Sequence, residues 1–257
     1  MELTAIDNRN HERLPRAGRA PNTSEREPRA DGRTAHVHLL SGPFVTVDDI
    51  RFEVPEGSKR LLAFVAIKAD TLDRRYVAGS LWPSCDDGRA AGNLRSALWR
   101  MRGAGIDVVA GDKVSVSLAD GVLVDAAEIA QWADRLVTGR PQPGDFYAIA
   151  EKTRALDILP GCYDDWAVEE RERMRQRVMH ALEQASRLLC AENRFGEAIE
   201  AAMAAVFCEP LRESAQRSLV EAHLAEGNLV EARRSFGNYA RLVRRELGIG
   251  PSQDLCR

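Results

Sequence analysis

Two short stretches near the C-terminus, Arg194-Phe195-Gly196-Glu197-Ala198 and Asn228-Leu229-Val230-Glu231-Ala232, stand 34 residues apart in matching register. A period of this length is that of stacked helix pairs, in which each pair hides its apolar face against the next. It commits this part of the chain to helices, and it puts each match at the turn between paired helices. Small residues at Ala198, Ala202, Ala205, Ala222, Ala225 and Ala232 allow close helix packing, and Pro210 breaks the chain between helices. Two such units cannot bury their faces alone, so the residues before them must complete the stack. Phe146–Leu159 has helical period and ends at Pro160-Gly161. Asp164 or Asp165 can then cap a long helix to about Glu192, with Met174, Val178, Ala181, Leu182, Ala185 and Leu189 as its buried stripe. The charged run from Glu169 to Arg177 reads as solvated. The same residues also suit a generic helical bundle.

The first half has a different pattern. Residues 1–34 are rich in arginine and proline and poor in apolar side chains, and read as a disordered arm. From His36, short alternating runs (Val37, Leu39; Phe44, Val45, Val47; Ile50, Phe52, Val54) are separated by turn residues and predict short antiparallel strands. Ser58 is placed to cap a helix through Leu61, Leu62, Phe64, Val65 and Ile67. Asp73 is placed to cap a second one that stops at Pro83, with Val77 and Leu81 inward. Gly111-Asp112-Lys113, flanked by valines, predicts a β-hairpin, and Val122-Leu123-Val124 a returning strand. Ala126–Val137 is a helix carrying Ile129, Trp132 and Leu136, and 138–145 has linker composition.

Between that second helix and the hairpin lies the stretch from Asp86 to Arg102. On a helix, Ala90, Leu94, Ala97, Leu98 and Met101 share one face. Arg89, Gly92, Arg95, Ser96, Trp99 and Arg100 share the other, with Arg102 at its edge. No Asp or Glu occurs from Gly88 to Ile106, while Asp86 and Asp87 stand where a cap and the helix dipole favour negative charge. An arginine face opposite an apolar stripe suits a helix in the major groove of DNA, because guanidinium can chelate guanine or bind phosphate; it also suits a solvated surface helix. Trp99 suits stacking on a sugar or base, or packing on a neighbouring domain. Two helices, then this one, then a hairpin is the order of a winged helix, with Lys113 at the wing tip reaching phosphate. The end of the Ser58–Lys68 helix is a second expected phosphate contact. Gly92 inside the helix costs it about 1 kcal/mol relative to alanine.

Leu81-Trp82-Pro83 together with Arg89–Arg102 resembles the DNA-binding half of the SARP-type antibiotic-regulatory activators of bacteria. The helical second half is similar to the bacterial transcriptional activator domain that follows it in that family. The resemblance covers about residues 36–255. It implies a mostly α fold with small β parts: an OmpR-like winged helix (35–137), a linker (138–145) and an all-α, tetratricopeptide-like (TPR-like) repeat domain (146–257). By position it implies DNA contacts at Arg89, Arg95, Ser96, Trp99, Arg100, Arg102 and Lys113, on direct repeats in promoter DNA. Its implied partners are double-stranded promoter DNA, RNA polymerase and further copies of the chain.

Composition limits the alternatives. The chain has 257 residues and a net charge of −3, so any DNA site must come from local charge placement. Five cysteines without a CxxC pair indicate neither a zinc site nor a disulfide framework, and read as reduced thiols in a cytoplasmic protein. No apolar run is long enough to span a membrane, and the N-terminus lacks a signal-peptide core. No phosphate-binding loop, HExxH or GxSxG motif occurs, so neither an enzyme nor a cofactor is expected. His36 and His38 share a strand face, but no neighbouring ligand completes a metal site. The expected function is sequence-specific DNA binding by a transcriptional activator. The alternatives are a helical-repeat adaptor whose winged helix binds protein, and an effector-sensing repressor.

Overall fold

A computed structural model of the chain describes residues 34–147 and 149–255. The arm expected at residues 1–34 lies outside these, apart from Thr34. Three strands, β1 (Ala35–His38), β2 (Phe44–Val47) and β3 (Ile50–Glu53), form an antiparallel meander. Asp48 and Asp49 close the β2–β3 hairpin with φ of 49° and 64°. A two-residue turn needs positive φ at both positions, and aspartate tolerates it better than most side chains. Then come α1 (Glu56–Lys68), the short β4 (Leu72–Asp73), α2 (Arg74–Leu81), α3 (Asp87–Gly103), β5 (Val109–Gly111), β6 (Ser115–Leu118), β7 (Val122–Val124) and α4 (Asp125–Val137). The strands form two sheets, in orders β3-β2-β1-β7 and β4-β6-β5. The return strand β7 therefore leaves the hairpin and pairs in parallel with β1, Ala35 opposite Val122.

Local chemistry explains several helix starts. The Asp73 carboxylate accepts the N–H groups of Arg75 and Tyr76 at 2.8 and 3.1 Å, which starts α2 as expected. Ser58 does not cap α1. It sits within the first turn, fully buried, and its hydroxyl donates to the carbonyl of Ala97 in α3 at 2.8 Å. The helix begins instead at Pro55, whose fixed φ suits a helix entrance. Asp125 opens α4 and accepts the N–H groups of Leu39, Leu40 and Ala126, tying the end of β1 to the helix. The fold brings this carboxylate within 3.9 Å of His38, but those backbone groups already occupy it. Burial is the main cause holding the His38 imidazole below its ordinary value, with Asp125 opposing it.

The second half is helical, through α5 (Ile149–Lys152), α6 (Asp165–Ala191), α7 (Phe195–Cys208), α8 (Glu213–Glu226) and α9 (Leu229–Leu247). The repeated motif falls where the spacing predicts, at the α6–α7 and α8–α9 turns, with Arg194 and Asn228 as N-caps. The α6 stripe is buried at every expected position. Three expectations fail here, all through tertiary contacts. Phe146–Leu159 is not one helix but two 3-10 turns (Pro143–Phe146 and Thr153–Asp157) around the single turn of α5. Its end is drawn off by long-range bonds: Leu159 N–H donates to Leu39 O at 2.9 Å, and Arg171 donates to the carbonyls of Ile158, Leu159 and Cys162. The Asp164 side chain makes no cap bond, because Arg60 of α1 holds both its oxygens at 2.7 and 2.5 Å. The run from Glu169 to Arg177 is not solvated throughout: Glu169, Glu172, Arg173 and Arg177 are exposed, but Glu170 pairs with Lys68 at 2.9 Å and Met174 is buried. Phe64 and Trp166 meet edge to face 5.1 Å apart on the same seam. Residues 138–145, linker-like in composition, fold back on α4, where Asp145 is buried and the Trp132 indole donates to its carbonyl at 2.8 Å.

Candidate nucleic-acid interface

The geometry of α3 follows from its two faces. Ala90, Leu94, Ala97, Leu98 and Met101 are buried, the five residues that periodicity selects. Asp86 caps the helix by accepting the Arg89 N–H at 3.0 Å, and Asp87 adds negative charge to the first turn. With that stripe held in the core, Arg89, Arg95, Ser96, Trp99, Arg100 and Arg102 are all exposed, Trp99 at 74%. Among the described residues most of the Trp99 side chain is left open to solvent.

These side chains differ in their surroundings. Arg89 lies 4.0 Å from Asp86, an exposed pair worth little. The Arg95 guanidinium lies beside Gly92, where a Cβ would come within 3.7 Å of its Nη2. Gly92 thus leaves room that no other side chain among the described residues fills. Arg100 is turned back to α1, its Nη2 donating to the Gly57 carbonyl at 3.2 Å.

The β5–β6 hairpin stands next to α2 as a wing. Its turn is held by the Asp112 carboxylate, which accepts the Val114 and Ser115 N–H groups at 2.7 Å each. Those two bonds keep the Asp112 carboxyl below its ordinary range. Arg74 at the start of α2 donates to the Asp112 carbonyl at 2.9 Å, and its own N–H donates to Val114 O. Lys113 is exposed at the tip of this braced turn. At the end of the Ser58–Lys68 helix, the second expected phosphate contact, Lys68 pairs with Glu170 at 2.9 Å.

Residues 148–257 match the family model of the bacterial transcriptional activator domain. Over those residues the chain is similar to that domain. Among solved structures, that of Mycobacterium tuberculosis EmbR in complex with a low-affinity phosphopeptide shares the fold, with a TM-score of 0.61 and 18% identity over 87% of this chain and 63% of that one. This chain therefore spans under two thirds of that protein's length. No curated protein matches the sequence. The family model agrees with the resemblance of the helical half to that domain, and the shared fold agrees with the order of a small α/β half followed by a helical one.

The helical half also shows what sequence reasoning missed. Arg60 and Lys68 of α1 join it through Asp164 and Glu170, whereas locally Arg60 and Glu170 read as ordinary surface charges, Asp164 as a helix cap and Lys68 as the end of a helix expected to meet phosphate. Arg75, exposed at the start of α2, and Gly57, under Arg100, were not singled out either. A short-range signal for Arg75 exists, since the first helix of a helix-turn-helix crosses the DNA backbone. Gly57 has none. Among the described residues no group of His, Cys, Asp and Glu could hold a metal, and no helix is long and apolar enough to cross a membrane.

Proposed function

We propose that this chain is a cytoplasmic, sequence-specific DNA-binding regulator of transcription, and an activator. Residues 35–137 would hold DNA, and residues 146–257 would pair protomers on adjacent direct repeats in a promoter or touch RNA polymerase. The observation that carries this reading is the outer face of α3: exposed arginines with no acid from Gly88 to Ile106, beside a wing with a lysine at its tip. Such a face brings guanidinium groups to base edges, while the wing cation meets phosphate. Arg89, Arg95, Ser96, Trp99, Arg100, Arg102 and Lys113 are the proposed contacts.

The test is selection of bound fragments from sheared bacterial DNA by the full chain at two salt concentrations. A short repeated motif is expected, and its spacing gives the arrangement of protomers. Arg95→Ala should cost roughly 1–3 kcal/mol of binding and relax one base preference. Lys113→Ala should weaken binding to all sequences alike and lower the salt slope by about one. If Arg95→Ala leaves affinity and preference intact, the face is misassigned. Trp99 also supports a second reading, since an exposed tryptophan suits a protein partner. Recovery of no DNA at either salt favours that adaptor.

A further inference from the structure

We infer that Arg100 is a phosphate clamp set in place by Gly57 and not a reader of bases, a role that rests on the proposed binding of DNA by α3. The argument starts from Gly57. It lies in the first turn of α1, where nothing in the backbone calls for glycine: its φ is not in the left-handed region. Alanine would favour the helix more. What fills the place of a side chain is the Arg100 guanidinium. A Cβ on Gly57 would stand 2.9 Å from Nη2, 3.1 Å from Cζ and 3.4 Å from Nε. The same Nη2 donates to the Gly57 carbonyl, 43 residues away in the chain, at 3.2 Å.

Arg100 is nonetheless exposed, and no carboxylate pairs with it among the described residues. Its charge is fixed in position and not neutralised. Arg95 differs, since no backbone carbonyl holds it among the described residues. Location separates the two roles further. Arg100 lies 11 residues beyond Arg89, about 16 Å along the helix. A recognition helix meets base edges with its N-terminal part, so its rear lies against the backbone. A guanidinium anchored on one side by a carbonyl keeps its other N–H donors for one fixed acceptor, which suits a phosphate present at every site.

The test uses the full chain, a labelled duplex carrying the selected motif and a scrambled duplex of equal length, titrated over a range of salt. Gly57→Ala removes no group that touches DNA. It displaces only the flexible end of Arg100, so the fold and melting temperature should hold or improve. Gly57→Ala and Arg100→Ala should each weaken both duplexes by the same factor, about tenfold. Each should lower the salt slope by about one. The double variant should bind no worse than Arg100→Ala alone. Wild-type binding by Gly57→Ala, a changed base preference in Arg100→Ala, or losses that multiply in the double variant would each overturn the clamp while leaving the DNA-binding reading intact. A wild-type chain that binds neither duplex at low salt overturns both.

Discussion

Asp145 shows how one residue can hold a segment whose composition suggests no structure. It is 5% exposed, accepts Arg135 Nε and Nη2 at 2.9 and 2.6 Å, and accepts the Gln142 N–H at 2.8 Å. The bond from Arg135 is the main cause holding its carboxyl below the ordinary value of 3.8, against the opposing effect of burial. Asp145→Asn should destabilise the chain by about 2–3 kcal/mol at neutral pH, part of the cost of breaking a buried pair being recovered because Arg135 stays partly hydrated. The native pKa lies below the unfolded one, so the stabilisation is complete above the unfolded value and drains as pH falls through the native value. Urea unfolding of the two proteins should therefore differ at pH 7 and converge only once the pH has fallen below the native value, which itself lies under 3.8. A constant difference at all pH values would assign the effect to packing.

At the scale of elements, α3 was the most legible part of the chain. Its cap, its buried stripe and its exposed arginines all follow from spacing of 3.6 residues per turn, a local property. Gly92 is the exception within it. Among the described residues only the end of Arg95 approaches the place of a Cβ, at 3.7 Å. Gly92→Ala should therefore stabilise the chain by about 1 kcal/mol, seen as a higher melting temperature. If DNA affinity falls in the same variant, the open space is used by the ligand. An unchanged affinity would leave the glycine with no part in binding. By contrast, Phe146–Leu159 shows where periodicity misleads: a helical pattern gave way to 3-10 turns once Leu39 and Arg171 took up its backbone groups. Helix propensity is weak beside several tertiary hydrogen bonds.

In the whole molecule the packing of α4 against α6 is the main join between the two halves, within one apolar core that runs through both, and the α1–α6 seam adds Arg60–Asp164, Lys68–Glu170 and the Phe64–Trp166 contact. The ion pairs are partly exposed and each contributes little alone, while the aromatic contact adds about 0.5–1.5 kcal/mol beyond its burial. The wild-type chain should unfold in one calorimetric transition. A chain with Arg60→Ala, Lys68→Ala and Trp166→Ala should still unfold in one transition, at a lower temperature, because α4 stays packed against α6 within the shared core. Two transitions in that variant would mean that the α1–α6 seam, and not the α4–α6 packing, couples the halves.

The sequence by itself determined the helix faces, the caps at Asp73 and Asp86, the 34-residue stacking of α6–α9 and the seven residues proposed to meet DNA. These depend on spacing and on side chains that act within a few residues of themselves. Only the tertiary structure decided that β7 joins β1 and not the wing, that Ser58 and Asp164 serve other elements instead of their own helices, that Lys68 belongs to the seam, and that Arg100 rests on Gly57. The physical reason is the same in each case. A polar group takes the best partner within reach in the folded chain, and for these residues that partner lies 39 to 104 positions away.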